Sequence, residues 1–388
     1  MTRSPLAPLA LALALLALAP SRALADDEVG IFNINFCKDP VGSVCGPIST
    51  QPIGREAQLR KIVERCVQTA LAQTARAVGE NPLLFRLDSI ARLPPVSRAL
   101  ASSLYVANLQ AQLAANITAV QQNAFRGQID RVRGYLKAAI EHHLPTGPGT
   151  PFINRVNQGS LIAELTRVIP VDATRIQEMA QRGDPDGKLL AEVFVDPRTC
   201  GPDGLAVNAF ALPIETRKYL VVCPGLLLSA WGEGRNDLYN LYNLIMVLGH
   251  EWGHHFDSKW FPLVYARYRS CLVASYSDGL SDPGPTSASI AEQLPQRVAE
   301  RKVDSHLREI TADYWGTQAL LEYVNSIWGP LDFLGRLDLL RQAYGALCWS
   351  PDASGHPTGS YRVGVLLPNA PGVSRAMGCK AGRPVCTL

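Results

Sequence analysis

The stretch that decides the fold, residues 239–257, reads YNLYNLIMVLGHEWGHHFD. Its apolar residues recur at helical spacing, so the pattern predicts a helix. On such a helix His250 and His254 lie four residues apart on one face, where both imidazoles can bind a single metal ion. Glu251 would then lie beside the ion as a general base.

Two glycines interrupt this otherwise apolar helix. Gly249 and Gly253 are poor helix formers, so their presence predicts close backbone packing around the metal. A third histidine six residues after His254 would define the metzincin class of zinc proteases. That position is Trp260, so the metzincin class is disfavoured.

A catalytic zinc site needs a third protein ligand and leaves its fourth position to water. Glu309 and Asp313 are four residues apart, on one face of a helix, and both can point at the same site. Glu309 is the predicted third ligand. Asp313 is predicted to accept the other ring N–H of a ligand histidine and so fix its tautomer. A solvated acidic face is the alternative interpretation.

The amino terminus predicts export. Arg3 precedes an apolar run at 6–18, and the small residues Ala23 and Ala25 precede Asp26, so residues 1–25 are predicted to be a signal peptide cleaved after Ala25. The run is too short for a comfortable membrane span, and no transmembrane segment is expected in the mature chain. The full chain has 37 basic and 34 acidic residues, a balance that gives no reason to expect a nucleic-acid partner.

Nine cysteines and the absence of any CxxC pair favour disulfides over thiolate metal sites in an exported protein. Cys37 with Cys45 and Cys379 with Cys386 are candidate local bridges. Because the number is odd, at least one cysteine is left unpaired in a monomer.

The chain is predicted to have an α+β fold that is mostly helical. Residues 26–150 form a helical N-terminal region with a cysteine-containing leader, and residues 151–388 form the catalytic domain. Helical patterns cover 55–78, 96–143, where Gly127 is a candidate break, and 161–182. Strands are predicted at 190–195, 205–212 and 218–223. An edge strand lining the cleft can pair with an extended substrate backbone.

Five segments follow one another in an order that resembles the M48-type gluzincin metallopeptidases. They are VNAFALP at 207–213, YLVVCPGLL at 219–227, HEWGHH at 250–255, EITADYWG at 309–316 and HPTGSYR at 356–362. Many members of that family are integral membrane proteins, and this chain lacks their membrane helices. Residues 26 to about 190 show no match to the family.

The resemblance implies a zincin-like core with one zinc ion per chain, held by His250, His254 and Glu309. It implies Glu251 as the general base and Asp313 as the carboxylate behind a ligand histidine. The implied substrate-pairing edge strand consists of Asn208, Ala209, Phe210, Ala211 and Leu212.

Two further cleft residues are implied by the resemblance, His356 and Arg362. Either or both can donate to an oxyanion, although His356 can equally be a plain loop residue before Pro357. The family often has arginine three residues before the ligand glutamate, where this chain has His306, and either His306 or Arg308 fills that role.

The predicted function is that of an exported, zinc-dependent metalloendopeptidase, periplasmic or secreted, acting on unfolded or extended polypeptides. Two alternatives stand beside it. One is a zinc-containing quality-control factor that binds misfolded exported proteins and cleaves rarely. The other is a binding protein with structural zinc, which the presence of Glu251 disfavours, since structural zinc uses four Cys or His ligands. The sequence leaves the substrate and the oligomeric state open.

Overall fold

The chain is mostly helical, with one small mixed sheet, wherever the structure describes it. The structure is a computed structural model that describes residues 36–45, 55–229, 236–275, 280, 295–325, 331–344, 347–348, 356–370, 372–379 and 386–388. The fold class is α+β, as predicted. The predicted signal peptide, residues 1–25, lies outside the described residues. Among the described helices, none has the length and apolar character needed to cross a membrane.

Helices make up the first part of the chain: α1 Pro40–Val44, α2 Arg55–Ala77, α3 Leu87–Ala91, α4 Pro95–Asn116 and α5 Ala119–His143. The pattern at 96–143 was predicted to break at Gly127, which is wrong, because the chain breaks at Ile117 and Thr118. Thr118 caps α5, where its Oγ1 accepts from the Gln121 amide at 3.3 Å and its own amide donates to Gln121 Oε1 at 3.0 Å. This reciprocal pair satisfies two backbone donors and starts a new helix.

The middle of the chain holds two corrected predictions. Its elements are α6 Phe152–Arg167, β1 Val168–Val171, α7 Ala173–Gln181, α8 Pro185–Phe194 and α9 Pro197–Cys200. The helix predicted at 161–182 is interrupted by β1, a short run rich in β-branched residues that favours a strand. The strand predicted at 190–195 is wrong. Asp184 caps α8 by accepting from the Asp186 amide at 3.1 Å, and Pro185 fits the first helical turn.

A three-stranded sheet supports one side of the cleft. The strands β2 Ala209–Ile214 and β3 Arg217–Val222 are the two predicted at 205–212 and 218–223, with shifted ends, and they pair antiparallel. The strand order is β1-β3-β2, and β1 pairs with β3 in parallel. In the described part of the chain, β2 is therefore an edge strand. Pro213 fits this position because an edge strand tolerates a residue without an N–H.

The last part of the chain contains the two helices that carry the predicted metal ligands. Its elements are α10 Pro224–Ser229, α11 Asn236–Gly253, α12 Ala266–Ala274, α13 Pro295–Asn325, α14 Phe333–Tyr344, α15 Gly359–Tyr361, a π-helical turn Arg362–Leu366, α16 Leu367–Asn369 and α17 Val373–Ala376. The helix α11 packs along α13, and α5 packs on both. One cluster of buried hydrophobic residues runs through all of these helices. The predicted domain boundary near residue 150 stays a prediction.

Glycines allow α11 and α13 to approach closely, as the sequence predicted. A Cβ atom added to Gly249 would lie 2.9 Å from the Cα of Gly316, and one added to Gly253 would lie 2.9 Å from the Cα of Ala312. A Cβ added to Gly316 would lie 2.9 Å from the Met246 carbonyl oxygen. Any larger residue must push the two backbones apart.

Three disulfides join distant parts of the chain, Cys37–Cys379, Cys45–Cys348 and Cys271–Cys386, and a fourth, Cys200–Cys223, closes a loop of 23 residues. The candidate local bridges Cys37–Cys45 and Cys379–Cys386 are wrong. Between the first two cysteines lies α1, which packs on α14 and on the π-helical turn, so both cysteines face the C-terminal part of the chain. Arg341 Nε also donates to the Ser43 carbonyl there, at 2.6 Å. The unpaired cysteine is Cys66, which is buried.

Candidate metal centre

The end of α11 brings two imidazoles together. The Nε2 atoms of His250 and His254 lie 3.2 Å apart, as the four-residue spacing predicted. Although α11 ends at Gly253, the His254 amide still donates to the His250 carbonyl at 3.2 Å, so the helical geometry reaches the second histidine. The side chains of both histidines are largely buried.

Glu309 on α13 completes a triangle with these two nitrogens. Its Oε2 lies 3.4 Å from His250 Nε2 and 3.5 Å from His254 Nε2. That oxygen is buried and, although imidazole nitrogens surround it, it accepts no well-aligned hydrogen bond from the described residues. A cation bound between this oxygen and the two imidazole nitrogens would satisfy all three.

The dimensions of this triangle fit zinc. Ligands about 2.0–2.2 Å from a tetrahedral zinc ion are about 3.3–3.5 Å from one another, and the three measured edges are close to that. Two overlapping groups, His250 with Glu251 and His254, and His250 with Glu309 and His356, also have potential ligand atoms within 4.8 Å of one another. The chemistry and spacing of these residues therefore fit a metal ion.

Charge favours a cation at the same place. Arg362 neutralises Asp313 and Arg308 neutralises Asp257, so Glu251 and Glu309 are the cavity-lining carboxylates without such a partner in the described residues. Burial lowers the pKa of His254, but the neighbouring carboxylates of Asp257 and Glu309 outweigh it and raise that pKa to about 10. These carboxylates thus favour a positive charge at the imidazole, and a metal ion can supply that charge in place of the proton.

Each histidine has a carboxylate behind it. Asp313, on α13, accepts from His250 Nδ1 at 2.9 Å, as predicted for it. Arg362 donates from Nε to Asp313 Oδ2 at 2.7 Å and from Nη2 to Oδ1 at 2.5 Å. Burial raises the pKa of Asp313, but Arg362 and His250 outweigh it, so that pKa is lowered and the carboxyl stays ionised. Arg362 is itself buried, and its guanidinium holds Asp313.

The carboxylate behind His254 was not predicted from the sequence. It is Asp257, fully buried, with Oδ2 3.4 Å from His254 Nδ1. Arg308 Nε donates to the same oxygen at 2.9 Å. Of the two residues left open above, Arg308 thus contacts the site, while Nδ1 of the buried His306 lies 3.0 Å from the Lys302 carbonyl oxygen. The three-residue spacing from His254 to Asp257 was the available signal.

Replacing Asp257 by asparagine should weaken binding of a metal ion by about ten- to a hundredfold, because His254 loses the carboxylate that orients it. Asparagine keeps an acceptor for the Lys259 amide, which Asp257 Oδ1 binds at 2.8 Å. A zinc titration in competition with a chromophoric chelator measures the change. Asp130→Asn, on the exposed face of α5, is the matched control. Equal zinc affinity in the two variants would contradict this role for Asp257.

Glu251 is held by the edge strand. Its Oε2 accepts the Ala211 amide at 2.9 Å, and its Oε1 lies 3.8 Å from His250 Nε2. The amide of Ala211 therefore points out of the sheet toward the site. No sequence signal placed this backbone donor on Glu251, since the two residues are far apart in the chain.

His356 lies on the exposed side of the site. Its Nε2 is 3.1 Å from Glu309 Oε2, and 40% of its side chain is accessible. Burial lowers the pKa of His356, and Glu309 only partly offsets this. The balance favours the neutral imidazole.

A cavity of about 550 Å³ lies at this site and is lined by His250, Glu251, His254, Glu309 and His356, among others. Of the five predicted edge-strand residues, Asn208, Phe210 and Ala211 line it. Ala209 is buried, and Leu212 packs against the hydrophobic core. Asn208 precedes the strand and donates from Nδ2 to the Thr199 carbonyl at 3.2 Å, an anchor for the strand's first residue.

Comparison with known proteins assigns no family to this chain. No protein-family model matches it, and no curated protein was found to be similar to it. The interpretation of the site therefore rests on the residues and their geometry.

Proposed function

We propose that this protein is an exported, zinc-dependent metalloendopeptidase of the gluzincin type, related to the M48-type enzymes that its sequence resembles. The observation that carries the proposal is the position of Glu251. It lies beside the His250, His254 and Glu309 triangle, tied to an edge-strand amide by a 2.9 Å hydrogen bond. A structural zinc site has no need of an extra carboxylate held in this way. Four disulfides support an oxidising, exported environment.

Zinc bound by His250, His254 and Glu309 would polarise the scissile carbonyl and lower the pKa of a water molecule. Glu251 takes the proton of the attacking water and passes it to the leaving amine. The free Oε1 of Glu251 serves this purpose, because Oε2 is occupied by the Ala211 amide. Asp313 and Asp257 keep each histidine in the tautomer whose Nε2 faces the site.

His356 is the proposed donor to the oxyanion. Its accessible imidazole borders Glu309 and lines the cavity, where a ring N–H can donate to the developing negative charge. Arg362 is instead assigned a positioning role, since its guanidinium is buried against Asp313. His356 is thus proposed to act on the substrate, and Arg362 to hold Asp313 in place.

The edge strand favours an extended polypeptide as substrate. A peptide backbone can pair with the open side of β2 through backbone groups other than the Ala211 amide, which Glu251 already binds, and this pairing demands no particular sequence. Folded proteins rarely present such a free segment, so unfolded chains are the expected substrates.

The test is cleavage of casein and of a reduced, alkylated protein by the purified mature chain. We expect cleavage that a chelator stops, that zinc restores, and that accompanies about one zinc ion per chain by elemental analysis. The folded parent of the alkylated protein serves as control and should resist cleavage. Zinc-loaded protein that binds unfolded chains without cleaving them would contradict the proposal and favour the quality-control factor.

A further inference from the structure

One end of the cavity is formed by an indole with two lysines beside it. Trp260 is 44% exposed and lines the cavity with Lys259. The Nζ atoms of Lys259 and Lys218 lie 5.0 and 5.2 Å from the indole centroid, within cation–π range. Lys218 is paired across the sheet with Pro213, so this wall lies beside the last residues of the edge strand.

The lysines differ in what neutralises them. Lys218 Nζ lies 2.7 Å from Glu164 Oε2 and donates to the His255 carbonyl at 2.8 Å. Lys259 forms no ion pair within the described ranges, and its contact is the indole face. The Lys218 ammonium thus anchors Trp260, while Lys259, an exposed residue that lines the cavity, keeps an ammonium without a carboxylate partner in the described residues.

The other cations of the cavity are already paired. Arg198 Nη2 lies 2.6 Å from Asp196, Arg308 Nε lies 2.9 Å from Asp257, and Arg362 Nη2 lies 2.5 Å from Asp313. The two unpaired carboxylates, Glu251 and Glu309, belong to the metal centre. Away from that centre, the charge left uncompensated by the described residues is therefore positive and located on Lys259.

Asp257, which lies behind the candidate metal ligand His254, also fixes the position of the Lys259 backbone. Buried Asp257 accepts the Lys259 amide at 2.8 Å, and its carbonyl accepts the Trp260 amide at 3.1 Å and the Phe261 amide at 3.0 Å. The same carboxylate contacts His254. The turn carrying Lys259 and Trp260 is thus built onto a residue behind the metal ligand, at a fixed distance from the reacting bond.

We infer that Lys259 and Trp260 form a subsite for an acidic substrate side chain, so that the peptidase prefers polypeptides carrying Asp or Glu at one fixed position near the cut. This inference rests on the proposed function. The carboxylate would pair with the Lys259 ammonium, and its aliphatic stem would pack on the indole. An unpaired cation in a cavity attracts substrates of opposite charge and repels those of like charge.

The test uses peptides that differ at one position, carrying Asp, its neutral isostere Asn, or Lys, with the position scanned along the peptide. Mass spectrometry locates the cut, and kcat/KM is compared for wild type, Lys259→Met, Lys259→Glu and Lys188→Glu. Lys188 is exposed on α8 and does not line the cavity, so its variant makes the same charge change elsewhere. Binding of each peptide to zinc-loaded Glu251→Gln protein, with and without Lys259→Glu, is measured by fluorescence anisotropy.

Wild type and Lys188→Glu should prefer Asp over Asn about tenfold at one position, and more salt should weaken that preference. Lys259→Met should remove the preference, and Lys259→Glu should shift it to Lys. Cleavage without any charge preference, or a preference that persists in Lys259→Glu, would overturn the subsite and leave the peptidase intact. If no peptide is cleaved or bound, the proposed function and the subsite both fail.

Discussion

Hydrolysis of unfolded protein should fall by about 10²–10⁴-fold when Glu251 is replaced by glutamine, because the reaction loses its general base. Glutamine keeps the size of the side chain and an acceptor for the Ala211 amide, which Glu251 now binds at 2.9 Å. The three zinc ligands are untouched. We therefore expect zinc content to stay at that of wild type, with the loss confined to kcat.

Activity and zinc content must be measured on the same preparations to interpret this variant. Glu80→Gln, an exposed substitution after α2, controls for loss of one carboxylate and should match wild type. If Glu251→Gln cleaves as fast as wild type, Glu251 is not the base. A loss of zinc together with activity would instead assign Glu251 to metal binding, as its place in one of the two potential ligand groups allows.

The second large effect is expected at the crossing of α11 and α13. Gly316→Val should lower the free energy of unfolding by about 3 kcal/mol, at the upper end of the cost of overpacking. A Cβ at this position would lie 2.9 Å from the Met246 carbonyl oxygen and 3.1 Å from the His250 amide nitrogen. Both contacts are with backbone, which cannot rotate away. The second contact is with the backbone of His250, a proposed zinc ligand, so the zinc content should fall as well.

Gly127→Val is the matched control for this variant. Gly127 lies in α5, and a Cβ added there would meet nothing within 4 Å. Valine and glycine have similar, low helix propensities, so its unfolding free energy should stay within about 0.5 kcal/mol of wild type. Urea unfolding of zinc-free and zinc-loaded protein measures both effects. Equal unfolding free energies of the two variants would show that α11 and α13 can move apart without destabilising the protein.

Local spacing made part of the site predictable. His250 and His254 share a helix, as do Glu309 and Asp313, and a four-residue spacing puts each pair on one face whatever the rest of the chain does. The helical rise and turn fix these geometries within a few residues. The strand β2 was predictable in the same way, from a short apolar run with turn residues on either side, whereas its place at the edge of the sheet was implied by the family resemblance.

Other elements were mispredicted because a short-range signal was weak or was read with the wrong period. The apolar run at 190–195 is typical of a strand when it is considered alone. Asp184 and Pro185, however, form a helix start, and on that helix the apolar residues Leu190, Ala191 and Phe194 lie on the buried face of α8. The break between α4 and α5 depends on the capping pair of Thr118 and Gln121, which outweighed the glycine at 127. The strand β1 becomes stable only by pairing with β3, about 50 residues later in the chain.

The sequence by itself determined the chemistry: which residues can bind a metal, which can act as a base, and how each neighbouring pair is oriented. Tertiary structure decided how these pairs meet. Glu309 lies close to two imidazoles because glycines let α11 and α13 pack in contact. The hydrogen bond from the Ala211 amide to Glu251 depends on where the edge of the sheet lies. The partners of the cysteines likewise depend on α1 packing against the C-terminal helices. Local geometry follows from chain connectivity, whereas these contacts follow from the packing of surfaces far apart in sequence, which no spacing encodes.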